Sequence, residues 1–135
     1  MTVRYLLDTN IVSYLLRGHS LSARTRFEKA TVKAIGVSAV TEAEVYYGLA
    51  RTSAPTRLKP AAEVFFASVT CFAWDSSVAR TYGALRAEQV RKGRPLSTED
   101  LMIAAHALAL KLTLVTSDRA FSFVDGLKTE DWTLS

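Results

Sequence analysis

Five carboxylates stand where a chain of alternating strands and helices would deliver them to one place. Asp8 lies in Leu7-Asp8-Thr9-Asn10, Glu42 and Glu44 in Thr41-Glu42-Ala43-Glu44, Asp100 in Ser97-Thr98-Glu99-Asp100 and Asp118 in Thr116-Ser117-Asp118. Unpaired carboxylates that crowd together repel, which raises their pKa values or demands a cation. An oxygen-lined acidic pocket suits a hard divalent ion such as Mg²⁺ or Mn²⁺. Each acid also has a purely structural use. Asp8, Thr9 or Asn10 can cap a helix. Ser97 and Asp100 match a Ser-x-x-acid capping box. Asp118 can close a turn through its own side chain, and Glu42 and Glu44 can face solvent. The helical wheel does not separate these last two, because both flank the apolar arc around Ala43 and Tyr47. What favours chemistry is convergence, so the elements that carry the acids decide the matter.

The run Val3-Arg4-Tyr5-Leu6-Leu7 is rich in strand formers, and after Asp8-Thr9-Asn10 the apolar period lengthens to that of a helix, closed by Gly18. A second, basic helix follows, capped by Ser20 or Ser22. Residues 34–38 read as a buried strand, and a helix over about 39–50 carries Glu42 and Glu44. Thr52 to Pro55 read as a turn, with Pro55 or Pro60 near the start of a helix that runs to about Ser68. Residues 69–74 form a third strand. A long helix capped by Asp75 or Ser76 ends near Gly93, and Gly93-Arg94-Pro95 is a stop and a loop. The helix opening at Ser97 is apolar almost all round to Leu110, hence buried. Residues 113–116 form a fourth strand, and a last short strand is expected near Trp132-Thr133-Leu134. This alternation predicts an α/β fold, a mostly parallel sheet of four to five strands with helices on both faces. A helix returning to a parallel strand runs antiparallel to it, so Asp100, like Asp8, Glu42, Glu44 and Asp118, belongs to the carboxyl edge of the sheet, where open α/β sheets bind ligands.

Size and composition narrow the class. The 135 residues suit one domain, and 49% hydrophobic with 22% charged residues is ordinary for a globular chain. Seventeen Lys and Arg against 13 Asp and Glu give a net charge of +4 and a pI near 9.4, which permits nucleic-acid binding. With Cys71 alone, no intrachain disulfide forms and no cysteine zinc site exists. The apolar start is interrupted by Asp8 and Asn10 and makes a poor signal peptide. No apolar run approaches the ~18 residues of a membrane span. The expectation is a cytoplasmic protein.

The motifs as a set resemble the PIN-domain ribonucleases, and within them the VapC toxins of toxin–antitoxin pairs. The carriers are Leu7-Asp8-Thr9-Asn10, the stretch from Ser38 to Gly48, Gly93-Arg94-Pro95-Leu96-Ser97, the stretch from Asp100 to His106, Leu114-Val115-Thr116-Ser117-Asp118, and the ending from Gly126 to Trp132. The resemblance implies a PIN-like fold and an acidic cluster of Asp8, Glu44, Asp100 and Asp118. It selects Glu44, three residues after Thr41, over Glu42, and gives Thr116 a supporting role through its hydroxyl. It further implies Mg²⁺-dependent endoribonuclease activity, with Mn²⁺ as a substitute, leaving a 5′-phosphate and a 3′-hydroxyl. The RNA would be transfer RNA first and ribosomal RNA second. A VapB-like antitoxin and a homodimer are the implied partners. A housekeeping RNA-processing nuclease and a silent PIN-fold binding module are the alternatives. Among the basic residues, Arg94 and Arg119 are the expected phosphate contacts, while His19 and His106 are assigned no catalytic part.

Overall fold

Residues 2–51, 53–94 and 96–135 are described by the computed structural model; Thr52, placed in a turn, and Pro95, placed in a loop, lie outside the described residues. The strands are β1 Tyr5–Leu7, β2 Ile35–Ser38, β3 Thr70–Phe72, β4 Thr113–Val115 and β5 Thr129–Glu130. They form one sheet in the order β3-β2-β1-β4-β5, and every pairing is parallel. The helices are α1 Thr9–Arg17, α2 Leu21–Ala30, α3 Ala39–Arg51, α4 Leu58–Ser68, α5 Ser76–Arg91 and α6 Thr98–Leu110. Short 3₁₀ turns stand at Val32–Ala34 and Arg119–Phe123.

Alternation along the central strands makes two cores. Leu7, Val37 and Val115 pack on one face with Ile11, Phe65 and Trp132, under α1 to α4. Leu6 and Leu114 pack on the other with Ile103, Ala104, Ala107 and Phe121, under α6. A strand buried on both sides reads as a continuous apolar run, as β1 and β4 do. Gly36 of β2 is fixed by close packing, since a Cβ there would lie 2.5 Å from the Phe72 ring of β3.

Caps set the helix starts at the sheet edge. Asp8 Oδ1 accepts from Ile11 N at 2.9 Å, Ser20 Oγ from Ala23 N, Asp75 Oδ1 from Val78 N and Ser97 Oγ from Asp100 N at 3.1 Å. Gly18 ends α1 in the left-handed region at φ 69°, where a residue without Cβ is unstrained. Pro60 sits in the first turn of α4, where no N–H partner is needed.

The last strand is not where the sequence pattern placed it. Pairing ends when Thr116 N donates to Glu130 O at 2.9 Å. Asp131 then takes Thr133 N and Oγ1 on its Oδ1 and turns the chain. Trp132 is 1% exposed and belongs to the core, edge-on to Tyr5 at 5.2 Å and with its Nε1 donating to Glu130 Oε1. Its apolar neighbours mimic a strand because the indole fills a core position from a turn. No helix among the described residues is long and apolar enough to cross a membrane.

Candidate active site

Asp8 is the most constrained of the acids. It continues β1, its N–H donating to Val115 O at 3.0 Å, and is 4% exposed. Burial pushes its carboxyl up to about 6, against the opposing hydrogen bonds from the Thr116 hydroxyl and Ile11 N–H. The nearby charges of Asp100 and Asp118 push it in the same upward direction. Asp100, in the first turn of α6, is also raised, first by partial burial and then by Asp118 and Glu44, while the Ser97 hydrogen bond lowers it. Asp8, Asp100 and Asp118, from three parts of the chain, therefore lie within one another's electrostatic reach, and Glu44, from a fourth, lies within reach of Asp100. Among the described residues none of the four forms an ion pair with a Lys or Arg.

The structure distinguishes Glu42 from Glu44. Thr9 Oγ1, in the first turn of α1, donates to Glu44 Oε1 at 2.5 Å. The buried Thr41 hydroxyl lies 3.3 Å from Thr9 Oγ1 and closes a small hydroxyl ladder under Glu44. Glu42 instead faces β3, where it adds to the burial that raises the Cys71 thiol. Thr9 and Thr41 are site residues that the acid pattern alone does not reveal. Their signal is a threonine directly after one acid, as in Asp8-Thr9, or one turn before another, as Thr41 is to Glu44.

Thr116 and Asp118 form the far side. Thr116 is buried, and its Oγ1 accepts from Asp118 N at 3.0 Å while its hydroxyl bonds Asp8. Asp118 Oδ1 takes Ala120 N at 2.9 Å and so caps the 3₁₀ turn, and its other oxygen has no hydrogen-bond partner among the described residues. Capping and electrostatic contact with the other acids coexist in Asp8 and Asp118, whereas at α6 the cap is Ser97, which accepts from the Asp100 N–H.

The expected phosphate contacts part company. Arg94 Nη1 donates to Phe123 O at 2.6 Å and pairs with Asp125 at 3.2 Å, beside the Lys92–Asp125 pair. Arg119 is exposed next to Asp118 and, among the described residues, has no ion pair. It lines a polar hollow with Thr116, Ser117, Ser122 and Thr129. His106 is buried in α6, its Nδ1 2.8 Å from Ser38 Oγ and its ring edge-on to Phe72, well inside the fold.

The donor set is all oxygen, and its unmet need is for positive charge, which fits a hard divalent ion. Among the described residues no three acid, imidazole or thiol groups close on one point, so the acids ring the edge rather than form a finished cage.

Comparisons with known proteins agree with this architecture. A family model described as PIN domain matches residues 5–127. The chain is 37% identical over 131 residues to a tRNA(fMet)-specific endonuclease VapC of Shigella flexneri, covering 96% of this chain and 98% of that protein. It is 35% identical to a Ribonuclease VapC2 of Haemophilus influenzae over the same shares of each chain. Among solved structures, the DNA-bound VapBC from Salmonella typhimurium superposes with a TM-score of 0.90 at 32% identity, covering 97% of this chain and 99% of that one. VapBC2 of Rickettsia felis, bound to a promoter DNA fragment, gives 0.86 at 29% identity over 95% and 98%.

Proposed function

From the premise that the chain belongs to the PIN-domain family, and within it to the VapC ribonucleases, we propose a toxin that cuts transfer RNA at the acid-lined sheet edge and is silenced by a VapB-like antitoxin. The observation that carries the site is the convergence of Asp8, Glu44, Asp100 and Asp118 with no ion-pair partner among the described residues. Two relatives that the chain matches over 96% of its length are named as tRNA(fMet)-specific, which makes initiator transfer RNA the first substrate to try. The solved relatives are complexes of toxin with antitoxin, which supports a VapB-like partner. A homodimer and a cytoplasmic location complete the reading as a single PIN domain.

PIN-domain nucleases depend on divalent metal ions, and Mg²⁺, with Mn²⁺ as substitute, is the ion we assign. When bound, such an ion neutralises charge on the phosphate and lowers the pKa of a bound water. Asp8 and Asp100 would hold it, with Asp118 completing the site. Thr116 fixes both Asp8 and the backbone of Asp118, the supporting arrangement that keeps ligands oriented. Glu44, aimed by Thr9, either binds metal or orients the attacking water. That water opens the phosphodiester in line, leaving a 5′-phosphate and a 3′-hydroxyl, and no side chain becomes a covalent nucleophile. Arg119 meets the phosphate backbone beside Asp118, and Arg94 does so on exchanging Asp125 for a phosphate.

The test uses purified, antitoxin-free protein with total bacterial RNA, in Mg²⁺ and in EDTA, beside Asp100→Ala. The expected outcome is discrete transfer-RNA fragments with Mg²⁺ and the unaltered protein only. Absence of cleavage by a folded protein in both Mg²⁺ and Mn²⁺ would overturn the reading.

A further inference from the structure

Between α1, α3 and α4 a hollow of about 200 Å³ adjoins the acids, and beyond Thr9 and Glu44 its lining has no part in the reaction as derived. It begins at Thr9 and Glu44 and extends to Arg17, Arg51 and Leu58. Its buried lining is apolar, with Leu58 at 1% and Val45 at 9% exposure beside the half-buried Leu16 and Leu49. Asn10, Arg17 and Arg51 are exposed along it.

The two arginines belong to the part of the basic surface that is not neutralised by carboxylates. Lys92, Arg91 and Arg94 are neutralised by Glu88 and Asp125, and Arg24 and Arg26 by Glu28 and Glu130. Among the described residues Arg17 has no carboxylate partner, and Arg51 lies over the Tyr47 ring at 5.7 Å. Two uncompensated guanidinium groups beside an acidic centre suit a ligand that is itself polyanionic. Helix geometry sets Arg17 ~10 Å along α1 from Asn10. The arginines thus stand away from the reacting phosphate but on the path of the same strand. The volume falls below the ~300–1,000 Å³ of pockets that enclose whole small ligands. It admits one flat ring on an apolar lining, and the Asn10 amide supplies both a donor and an acceptor for a base edge.

We propose that this hollow is a nucleotide subsite, in which a base of single-stranded RNA next to the cut lies on the apolar lining while Arg17 and Arg51 hold phosphates of the same strand. The proposal rests on the ribonuclease reading above. It names residues that set which sequence is cut, and it continues the strand path away from Arg119 on the opposite side of the acids.

Two experiments test it. In an Asp100→Asn background, anisotropy of a labelled single-stranded oligoribonucleotide spanning the cut measures binding. Arg17→Ala and Arg51→Ala should each weaken binding about 5- to 10-fold. Each should also flatten the slope of log K against log salt by roughly 0.7, the value for one phosphate contact on a single strand. Arg24→Ala, on α2, should change neither. In the cleaving protein, one abasic nucleotide is moved through the substrate. One position beside the cut should raise KM about 10-fold in the unaltered protein and leave KM unchanged in Ser13→Trp, whose indole fills the hollow. Unchanged RNA affinity and salt slope in folded Arg17 and Arg51 variants, with cleavage by the unaltered protein intact, overturns the subsite and leaves the nuclease standing. So does loss of antitoxin binding alone in those variants, which would make the hollow a protein groove. An abasic scan that affects both proteins alike overturns the base site. Failure of the unaltered protein to cleave at all is the distinct failure of the ribonuclease reading.

Discussion

Asp8 caps α1 with the carboxylate that also faces Asp100 and Asp118, and burial holds that carboxyl up at about 6, above the 3.8 of an unburied aspartate. The native state therefore binds this proton more tightly than the unfolded state does. The stability it contributes is complete below about pH 4 and is lost as pH rises through about 6, a difference on the order of 2–3 kcal/mol. Asp8→Asn keeps the cap and removes the charge. It should raise the metal-free melting temperature by several degrees at pH 7.5, change it little at pH 4, and abolish cleavage. Mg²⁺ should raise the melting temperature of the unaltered protein at pH 7.5 and not that of the variant. Calorimetry at the two pH values checks all of this, and a variant less stable than the parent at pH 7.5 would contradict it. Thr9 makes a separate case. Thr9→Val leaves Glu44 without its hydroxyl donor and should lower kcat about 10-fold with KM little changed, while Thr9→Ser restores the rate. A loss confined to KM would show that Thr9 touches substrate instead.

Elements carry these residues to the edge, and most of the elements are legible in sequence. Gly18, Ser20, Asp75 and Ser97 mark helix ends by local chemistry that tertiary packing leaves intact. The parallel topology follows from alternation, and with it the edge that Asp8, Asp100 and Asp118 share. What the sequence leaves open depends on partners far along the chain. Glu42 and Glu44 are equivalent on a helical wheel; the family resemblance selects Glu44, and the physical difference between them is the hydrogen bond from Thr9, 35 residues away. The final strand is displaced toward Trp132 in the sequence pattern because burial of the indole, not pairing, sets the apolar residues there. Arg94 sits in a basic stretch, yet Asp125, 31 residues on, engages it. Trp132→Ala removes the Tyr5 contact, the Glu130 hydrogen bond and the stacking of Arg26 at 5.7 Å. It should lower stability by about 3–5 kcal/mol, measured by urea unfolding, with Mg²⁺-dependent cleavage preserved in the cold. A change under 1 kcal/mol would mean that the C-terminal segment does not close this core.

Over the whole molecule, a net charge of +4 coexists with an acidic sheet edge, and on the proposed reading the positive surface elsewhere draws RNA in while the edge holds the metal. Arg119→Ala should weaken binding of all RNAs alike and lower the salt dependence by about one phosphate contact, read from filter binding across a salt series. Equal salt slopes in parent and variant would remove Arg119 from the RNA path. The Lys92–Asp125–Arg94 pairs lie at the surface, where solvent and salt screen them. The loop they fasten can therefore release Arg94 at little expense when a phosphate competes. An antitoxin that fills the acid edge should stop cleavage and raise the melting temperature in proportion to its concentration over its dissociation constant.

The central claim is that the acids at the sheet edge are one metal centre for RNA hydrolysis. The measurement that bears on it most directly is an anomalous difference map from crystals soaked in Mn²⁺. A peak is expected near carboxylate oxygens of Asp8 and Asp100, close to the ~2.0–2.1 Å of the Mg²⁺ it replaces, and it should be lost in Asp100→Asn. A protein that cleaves RNA with Mn²⁺ yet shows no peak at this edge, or places the ion elsewhere, would mean that these acids are not the metal centre.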